Sequence, residues 1–293
     1  MSDKKPPLLV IIGETASGKS ALAMELAKRF DGEIISADSW TVRRGVDIGT
    51  AKPSLDDRRA VPHHLLDMVG PDEDFTAAVF KRLANQAIED IHDRGKIPIM
   101  VGGTGLYIDG VIFDYSFLPT GAPGQRTELN ELSIPALLKR IKDNEIELGE
   151  VDVRNKRRLI RLIENNGILP TKRELREGTL IIGLDADRTI LKKRITERVD
   201  AMLAAGLEAE VRGLVERYGW DCEALKGIGY AQWQSYFEGR DDVDEVRQKI
   251  IKGTLDLAKR QRTWFRRNNC IQWFTTPVNQ SAIVELVTTF LAS

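Results

Sequence analysis

Leu8-Leu9-Val10-Ile11-Ile12-Gly13-Glu14-Thr15-Ala16-Ser17-Gly18-Lys19-Ser20 is the stretch on which the fold turns. Its first five residues are a short, wholly apolar and partly β-branched run, the pattern of a strand buried on both faces of a parallel sheet. Gly13 to Ser20 then match G-x-x-x-x-G-K-[ST]. Behind them Leu22, Ala23, Leu26, Ala27 and Phe30 fall at helical spacing until Asp31-Gly32 stops the run. A glycine-rich turn between such a strand and such a helix curls so that successive N–H groups and the helix N-terminus face an anion. Lys19 adds a point charge, and the Ser20 hydroxyl is a ligand for Mg2+. Gly13, Thr15, Ala16, Ser17, Gly18, Lys19 and Ser20 are therefore predicted to bind a di- or triphosphate. The motif leaves open whether that ligand donates a phosphoryl group or something else.

Outward from this unit, Glu33 to Ala37 reads as a second strand, Ala77 to Arg94 as a helix, and Ile97 to Val101 as a third buried strand closing on Gly102-Gly103. The alternation indicates an α/β protein with crossover helices, a P-loop NTPase-like parallel sheet flanked by helices. From Pro119 the pattern changes: Pro119, Gly121, Pro123 and Gly124 interrupt the chain, and the residues up to Gly178 are charged and helical in pattern. Leu180 to Leu184 resumes the apolar run, long amphipathic segments cover Thr189 to Arg217 and Val243 to Arg267, and Cys270 to Phe274 reads as the last strand. The predicted organisation is a first core part over 6–118, a mainly helical insertion over 119–178, and completion of the core over 179–293.

With 293 residues, 42% of them hydrophobic, the chain can bury a sizeable core. Its 43 Lys and Arg balance 44 Asp and Glu, so any nucleic-acid footprint must be local. Cys222 and Cys270, with three histidines, lack the spacing of a structural zinc site and suit a reducing compartment. The five apolar residues after Pro7 are too few for a signal sequence or a membrane span, which predicts a soluble, cytoplasmic protein.

Three further groups carry chemistry. Asp38 follows the second strand, at the carboxyl edge where open α/β sheets place their ligands, and there a carboxylate accepts a proton, holds a metal or caps a turn. Val101-Gly102-Gly103-Thr104-Gly105 ends the third strand at the same edge and supplies a hydroxyl and amides. Lys252 to Arg267 sets Lys252, Lys259, Arg260, Arg262, Arg266 and Arg267 against the single acid Asp256, with Trp264 and Phe265 among them. Cations for phosphates and aromatics for base stacking are the parts of an RNA contact. Arg154, Lys156, Arg157, Arg158 and Arg161 form a second basic cluster in the insertion, and two separated clusters favour a long polyanion. His63-His64 point opposite ways in an extended segment and read as hydrogen-bonded structural histidines.

Together these segments resemble the tRNA dimethylallyltransferase family over nearly the whole chain. The similarity lies in Gly13 to Ser20; Asp38-Ser39 with Gly45-Val46-Asp47-Ile48-Gly49-Thr50-Ala51-Lys52-Pro53; Pro62-His63-His64-Leu65-Leu66-Asp67; Val101 to Tyr107; Gly227-Ile228-Gly229-Tyr230; and Ala258-Lys259-Arg260-Gln261 with Thr263-Trp264-Phe265-Arg266. The resemblance implies transfer of a dimethylallyl group from dimethylallyl diphosphate to the exocyclic amine of the adenosine 3′ of the anticodon, with pyrophosphate leaving. It implies Lys19, Thr104, Arg198 and Mg2+ on Ser20 as stabilisers of the leaving group, and Asp38 as general base. For the tRNA anticodon stem-loop it implies Asp38, Ser39, Trp40, Thr41, Arg126, Arg157, Arg158, Arg161, Lys226, Gly229, Tyr230, Lys259, Arg260, Gln261, Trp264 and Arg266. Glu14 stands where the family usually has Pro, Thr41 and Arg43 replace residues that are often Gln or Leu and Tyr, Leu255 replaces a frequent Arg, and the insertion is shorter than in many members.

Two other readings share the loop. A small-molecule kinase would use it for ATP with Asp38 activating a hydroxyl, and would need an arginine-bearing lid. A non-catalytic RNA-binding protein would dispense with Lys19 or Asp38, yet both are present. A monomer is expected, because no sizeable apolar stripe is left unassigned.

Overall fold

β1 (Leu8–Gly13) is buried at every residue and lies at the centre of the sheet, between β4 (Ile97–Gly102) and β5 (Thr179–Ala186), parallel to both. That position explains its unbroken apolar run, since both of its faces are covered. The computed structural model describes residues 5–118, 121, 124–149 and 151–293. β2 (Gly32–Ala37), β3 (His63–His64) and β6 (Ile271–Thr276) complete a six-stranded sheet in the order β3-β2-β4-β1-β5-β6, every pair parallel.

The helices are α1 (Lys19–Arg29), α2 (Leu55–Ala60), α3 (Ala77–Asp93), α4 (Gly105–Ile112), α5 (Gln125–Glu131), α6 (Ile134–Asp143), α7 (Lys156–Glu164), α8 (Arg188–Ala204), α9 (Leu207–Tyr218), α10 (Gln234–Phe237), α11 (Val243–Phe265) and α12 (Gln280–Ala292). The single amphipathic stretch read over Thr189 to Arg217 is two helices, α8 and α9, because Gly206 takes φ 95 between them. Most helix starts are capped: Thr76, Asp187 and Asp242 accept backbone N–H bonds at α3, α8 and α11. α1 differs. Its N-cap is Gly18 in the left-handed region with no side-chain cap, so its first amides remain for a ligand.

The chain divides into two compact units, Met1–Ile112 with Leu175–Ser293, and Phe113–Glu174. In the first, Leu9 and Ile11 of β1 pack with Leu22, Ala23 and Leu26 of α1 and with Ile283 and Val287 of α12. A second core in the same unit joins α8, α9 and α11 around Trp233 and Tyr230. The second unit has its own core, in which Leu129, Leu137 and Ile141 meet Leu159, Ile160, Leu162 and Ile163. Hydrogen bonds from Arg173 N to the Phe113 carbonyl and from Ser116 N to the Thr171 carbonyl pair the two segments that enter and leave it. The unit thus begins at Phe113, whereas the boundary read at Pro119 lies outside the described residues. Among the described residues no helix is long and apolar enough to cross a membrane.

Candidate functional site

The carboxyl ends of β1, β4 and β2 meet at one edge, where Ile12 is in register with Gly102 and Gly102 with Ala37. A Cβ on Gly102 would lie 2.0 Å from the Ala37 carbonyl oxygen, so only glycine lets the Asp38 loop come this close to β4. A cavity of about 270 Å³ opens at this edge. Thr15, Ala16, Gly18, Lys19 and Ser20 line it on one side and Asp38, Thr41, Thr50 and His63 on another; Ala23, Ile34, Val101 and Leu257 supply apolar wall, and Arg198 and Gln261 reach in from α8 and α11.

Within the loop, Lys19 Nζ donates to the Glu14 carbonyl at 2.6 Å. Burial first, and the nearby Arg198 guanidinium second, bring the Lys19 ammonium down to about 8. Burial likewise lowers Arg198, which donates from Nη2 to the Thr50 carbonyl at 3.0 Å. Two desolvated cations with few acceptors form a site waiting for anionic charge. Ser17 Oγ, in the same loop, is buried and has no hydrogen-bond partner among the described residues. Arg194, which sequence reading did not assign, lies beside the loop, with Nη1 at 3.5 and 3.4 Å from the Ala16 and Ser17 carbonyls.

The acid that departs from the family pattern is accounted for by its partner. Glu14 is 3% exposed and is absent from the cavity wall. Its Oε1 lies 2.6 Å from Arg262 Nε as an ion pair, and Arg262 Nη2 donates the hydrogen bond proper to Oε2 at 3.1 Å. Burial still pushes the Glu14 carboxyl above its ordinary value, with Arg262 opposing. The neighbouring Gln261 accepts from Thr15 N at 2.8 Å and donates to the Gly103 carbonyl at 3.1 Å, bridging the phosphate loop to the turn after β4.

Across the cavity, Asp38 Oδ1 accepts from Trp40 N at 2.8 Å and from Thr41 N at 3.4 Å, an arrangement that fixes the carboxylate plane. Thr104 Oγ1 accepts from Ser39 N at 3.1 Å and donates to Ser39 Oγ at 3.4 Å. Its hydroxyl thus braces the Asp38 loop, next to Gly102 and Gly103 of the cavity wall. The two histidines part company: His64 Nε2 lies 2.6 Å from Glu33 Oε2, which also takes Arg94, whereas His63 bonds the Val61 carbonyl through Nδ1 and turns onto the cavity.

The residues expected to meet RNA separate into groups. Lys259 and Arg260 are exposed and carry no ion pair among the described residues. Arg157 and Arg158 are exposed on α7 of the second unit. Ser39 is half-buried at the rim, and half-buried Trp40 packs over Gly227, a Cβ on which would come 3.1 Å from its ring. Lys226 is exposed and paired with Glu223 at 2.6 Å. Arg266 stacks over Trp273 at 4.5 Å and bonds Asp185, and Trp264 Nε1 donates to Asp109 Oδ2 at 2.8 Å. Arg126 grips Glu164 through two bonds of 2.8 Å, Arg161 adds a third at 3.0 Å, and the carboxylate side chain is 0% exposed. These two arginines build the second unit as well as facing its surface.

Two assignments are corrected. Tyr230 is 0% exposed, and its hydroxyl donates to Glu210 Oε1 at 2.6 Å. Gly229 is buried beside it, with its N–H given to Gln232 Oε1. Neither presents a surface to RNA; Tyr230 holds the Gly45 to Pro53 loop through Glu210, which also accepts from the amides of Asp47, Ile48 and Gly49, and Gly229 lies beside Gly49. Thr41 and Gln261 line the cavity, and Thr41 also bonds Ser36 and the Asp38 carbonyl.

A family profile described as IPP transferase matches residues 41–268. The chain is 41% identical over 304 aligned positions to the tRNA dimethylallyltransferase of Geobacillus thermodenitrificans, covering 97% of this chain and 96% of that one. It is 43% identical to tRNA dimethylallyltransferase 1 of Trichlorobacter lovleyi, covering 98% and 100%. Among solved structures it is similar to a full-length tRNA isopentenylpyrophosphate transferase from Bacillus halodurans, with TM-score 0.76, 36% identity and coverage of 98% and 96%. A eukaryotic dimethylallyltransferase captured acting on tRNA matches with TM-score 0.76 at 27% identity, covering 92% of this chain and 74% of that one.

Proposed function

Because this chain belongs to the IPP transferase family, we propose that the Gly13 to Ser20 loop holds the diphosphate of a prenyl donor while Asp38 receives an adenosine of tRNA. The protein is an enzyme of the prenyltransferase kind that acts on tRNA. One observation carries the site reading: Lys19 and Arg198, the cations, and Asp38, the carboxylate, line the same cavity. Ala23, Ile34 and Val101 offer the apolar wall a five-carbon group needs.

The chemistry follows from charge. In dimethylallyl diphosphate the allylic carbon–oxygen bond breaks as the adenine exocyclic nitrogen forms its bond to that carbon. Negative charge grows on the departing pyrophosphate, and Lys19, Arg198 and the uncapped amides of α1 bind that charge more strongly than they bind the intact donor. The nitrogen sheds a proton, and Asp38, with Oδ1 anchored by two amides, has Oδ2 left to take it. An aryl amine is a weak nucleophile, so a carboxylate hydrogen-bonded to it lowers the barrier without first forming an anion. The base must leave its stack to enter.

The Ser20 hydroxyl borders the cavity as an oxygen donor and would be a ligand for Mg2+. Bound there, the ion would neutralise diphosphate charge. Lys259 and Arg260 would meet the phosphates of the anticodon stem-loop. On this reading the enzyme works as a monomer in the cytoplasm, where its RNA substrate is.

The test is to incubate the protein with an adenosine-containing anticodon stem-loop, magnesium and labelled dimethylallyl diphosphate, with labelled ATP in a parallel reaction. Label enters the RNA only from the prenyl donor. Turnover of ATP on a small acceptor with no RNA labelling would overturn the reading.

A further inference from the structure

An acid at the second position of a phosphate loop opposes the loop's own task, because a carboxylate close to a diphosphate repels it. Glu14 nevertheless sits there, buried and outside the cavity lining. What keeps it there is Arg262, which lies on α11 248 residues further along the chain. The guanidinium holds both carboxylate oxygens. It is itself fixed by the Ala186 carbonyl at 3.1 Å and by Asp185 Oδ1 at 3.3 Å, at the end of β5.

We infer that Glu14 and Arg262 form a positioning pair for the donor site: Arg262 withholds the Glu14 charge from the bound diphosphate and sets the backbone that aims Lys19. This rests on the phosphate-loop reading above. Two further contacts support it. The Lys19 ammonium is anchored on the Glu14 carbonyl, so a shift of Glu14 moves the cation that meets the ligand. Gln261, the residue before Arg262, holds Thr15, the residue after Glu14, so consecutive residues of α11 are docked against consecutive residues of the loop. Arg262 therefore belongs to the basic stripe of α11 by sequence, yet it is turned inward onto the loop while Lys259 and Arg260 are exposed.

Removing Arg262 alone leaves a buried carboxylate that, unless it takes up a proton, must rotate toward the cavity or drag the loop; removing the charge on Glu14 as well abolishes the cause. The experiment compares wild type, Arg262→Leu and the double variant Glu14→Gln/Arg262→Leu by calorimetric binding of inorganic pyrophosphate with magnesium, by KM for dimethylallyl diphosphate against kcat, and by affinity for the stem-loop, with melting curves to establish folding. Arg262→Leu is expected to weaken pyrophosphate binding and raise the donor KM by about tenfold, with kcat and RNA affinity nearly unchanged, and the double variant to return both to within about twofold of wild type. Should Arg262→Leu fail to fold, Arg262→Lys keeps the charge without the two-point grip; its loss is about threefold and is again removed by Glu14→Gln.

A double variant as weak as the single one would overturn the pair. So would an Arg262→Leu protein that loses RNA affinity while binding pyrophosphate normally, since Arg262 would then be an RNA contact. Failure of the prenyl-transfer reading looks different: wild type would bind pyrophosphate but transfer no label to RNA, and the rescue would still be readable in the pyrophosphate titration.

Discussion

Tyr230 gives its hydroxyl to Glu210 at 2.6 Å from a fully buried ring, and the other bonds of that carboxylate hold the amides of Asp47, Ile48 and Gly49. The loop from Gly45 to Pro53, which places Thr50 and Ala51 in the cavity wall, is thus held from behind by an acid on α9. Tyr230→Phe leaves the half-buried carboxylate short of one donor and is expected to cost about 1 kcal/mol of stability, read by denaturant unfolding. Gly49→Ala acts on the same contact from the other side. Its Cβ would lie 2.5 Å from the Tyr230 ring, so the loop must shift. Transfer activity should fall in both variants, and an unchanged midpoint for Tyr230→Phe would remove the bond from the account.

Gln261 joins Thr15 to Gly103. Gln261→Ala leaves the Thr15 amide without its partner, and the expected result is a loss of about tenfold in kcat/KM for the donor, equivalent to about 1.4 kcal/mol. Gln261→Glu can still accept from Thr15 but cannot donate to Gly103, and should fall between. Steady-state kinetics at saturating RNA decides; equal activity of all three would show that the bridge does not position the loop.

Lys19 titrates at about 8 in the folded free protein against 10.5 for the ordinary side chain. The unfolded chain therefore holds more protons between those values, so this group's cost to the native state is greatest below pH 8 and is relieved as pH rises toward 10.5. Ligand binding runs the other way. A diphosphate favours the charged ammonium, so pyrophosphate affinity should weaken above about pH 8 by as much as roughly tenfold per pH unit. Lys19→Arg keeps its charge throughout, and the ratio of its affinity to that of wild type cancels the titration of pyrophosphate itself. Calorimetry from pH 7 to 9.5 should show that ratio rising; a flat ratio would contradict the assignment.

Asp38→Asn keeps the shape and the two backbone bonds of the loop but removes the proton acceptor. Transfer should drop by about 10²–10⁴, with stem-loop affinity preserved in a gel-shift titration. Near-normal turnover would exclude Asp38 as base.

Local pattern decided a good deal of this protein. The run from Leu8 to Ser20 specified strand, loop and helix, because burial on both faces, an uncapped helix start and a glycine at positive φ each leave a mark within a few residues. The strands containing Glu33 to Ala37, Ile97 to Val101 and Leu180 to Leu184 were legible for the same reason, each extending one to three residues beyond its apolar run. α12 was not, since its Ile, Val and Thr residues are β-branched and favour a strand reading, although exposed Ser281, Glu285, Thr288 and Thr289 keep a helical spacing opposite buried Ile283 and Val287.

What only the tertiary structure decided is pairing at a distance. Glu14 with Arg262, Thr15 with Gln261 and Asp47 with Glu210 are separated by 248, 246 and 163 residues, and no spacing rule reaches across them. Strand order and helix crossover bring them together, and the same packing takes Tyr230 out of reach of RNA and turns His63 into the cavity. Composition can say that a basic helix suits an RNA. Which of its cations are exposed, and which is spent on the carboxylate of the phosphate loop, depends on the surface α11 is packed against.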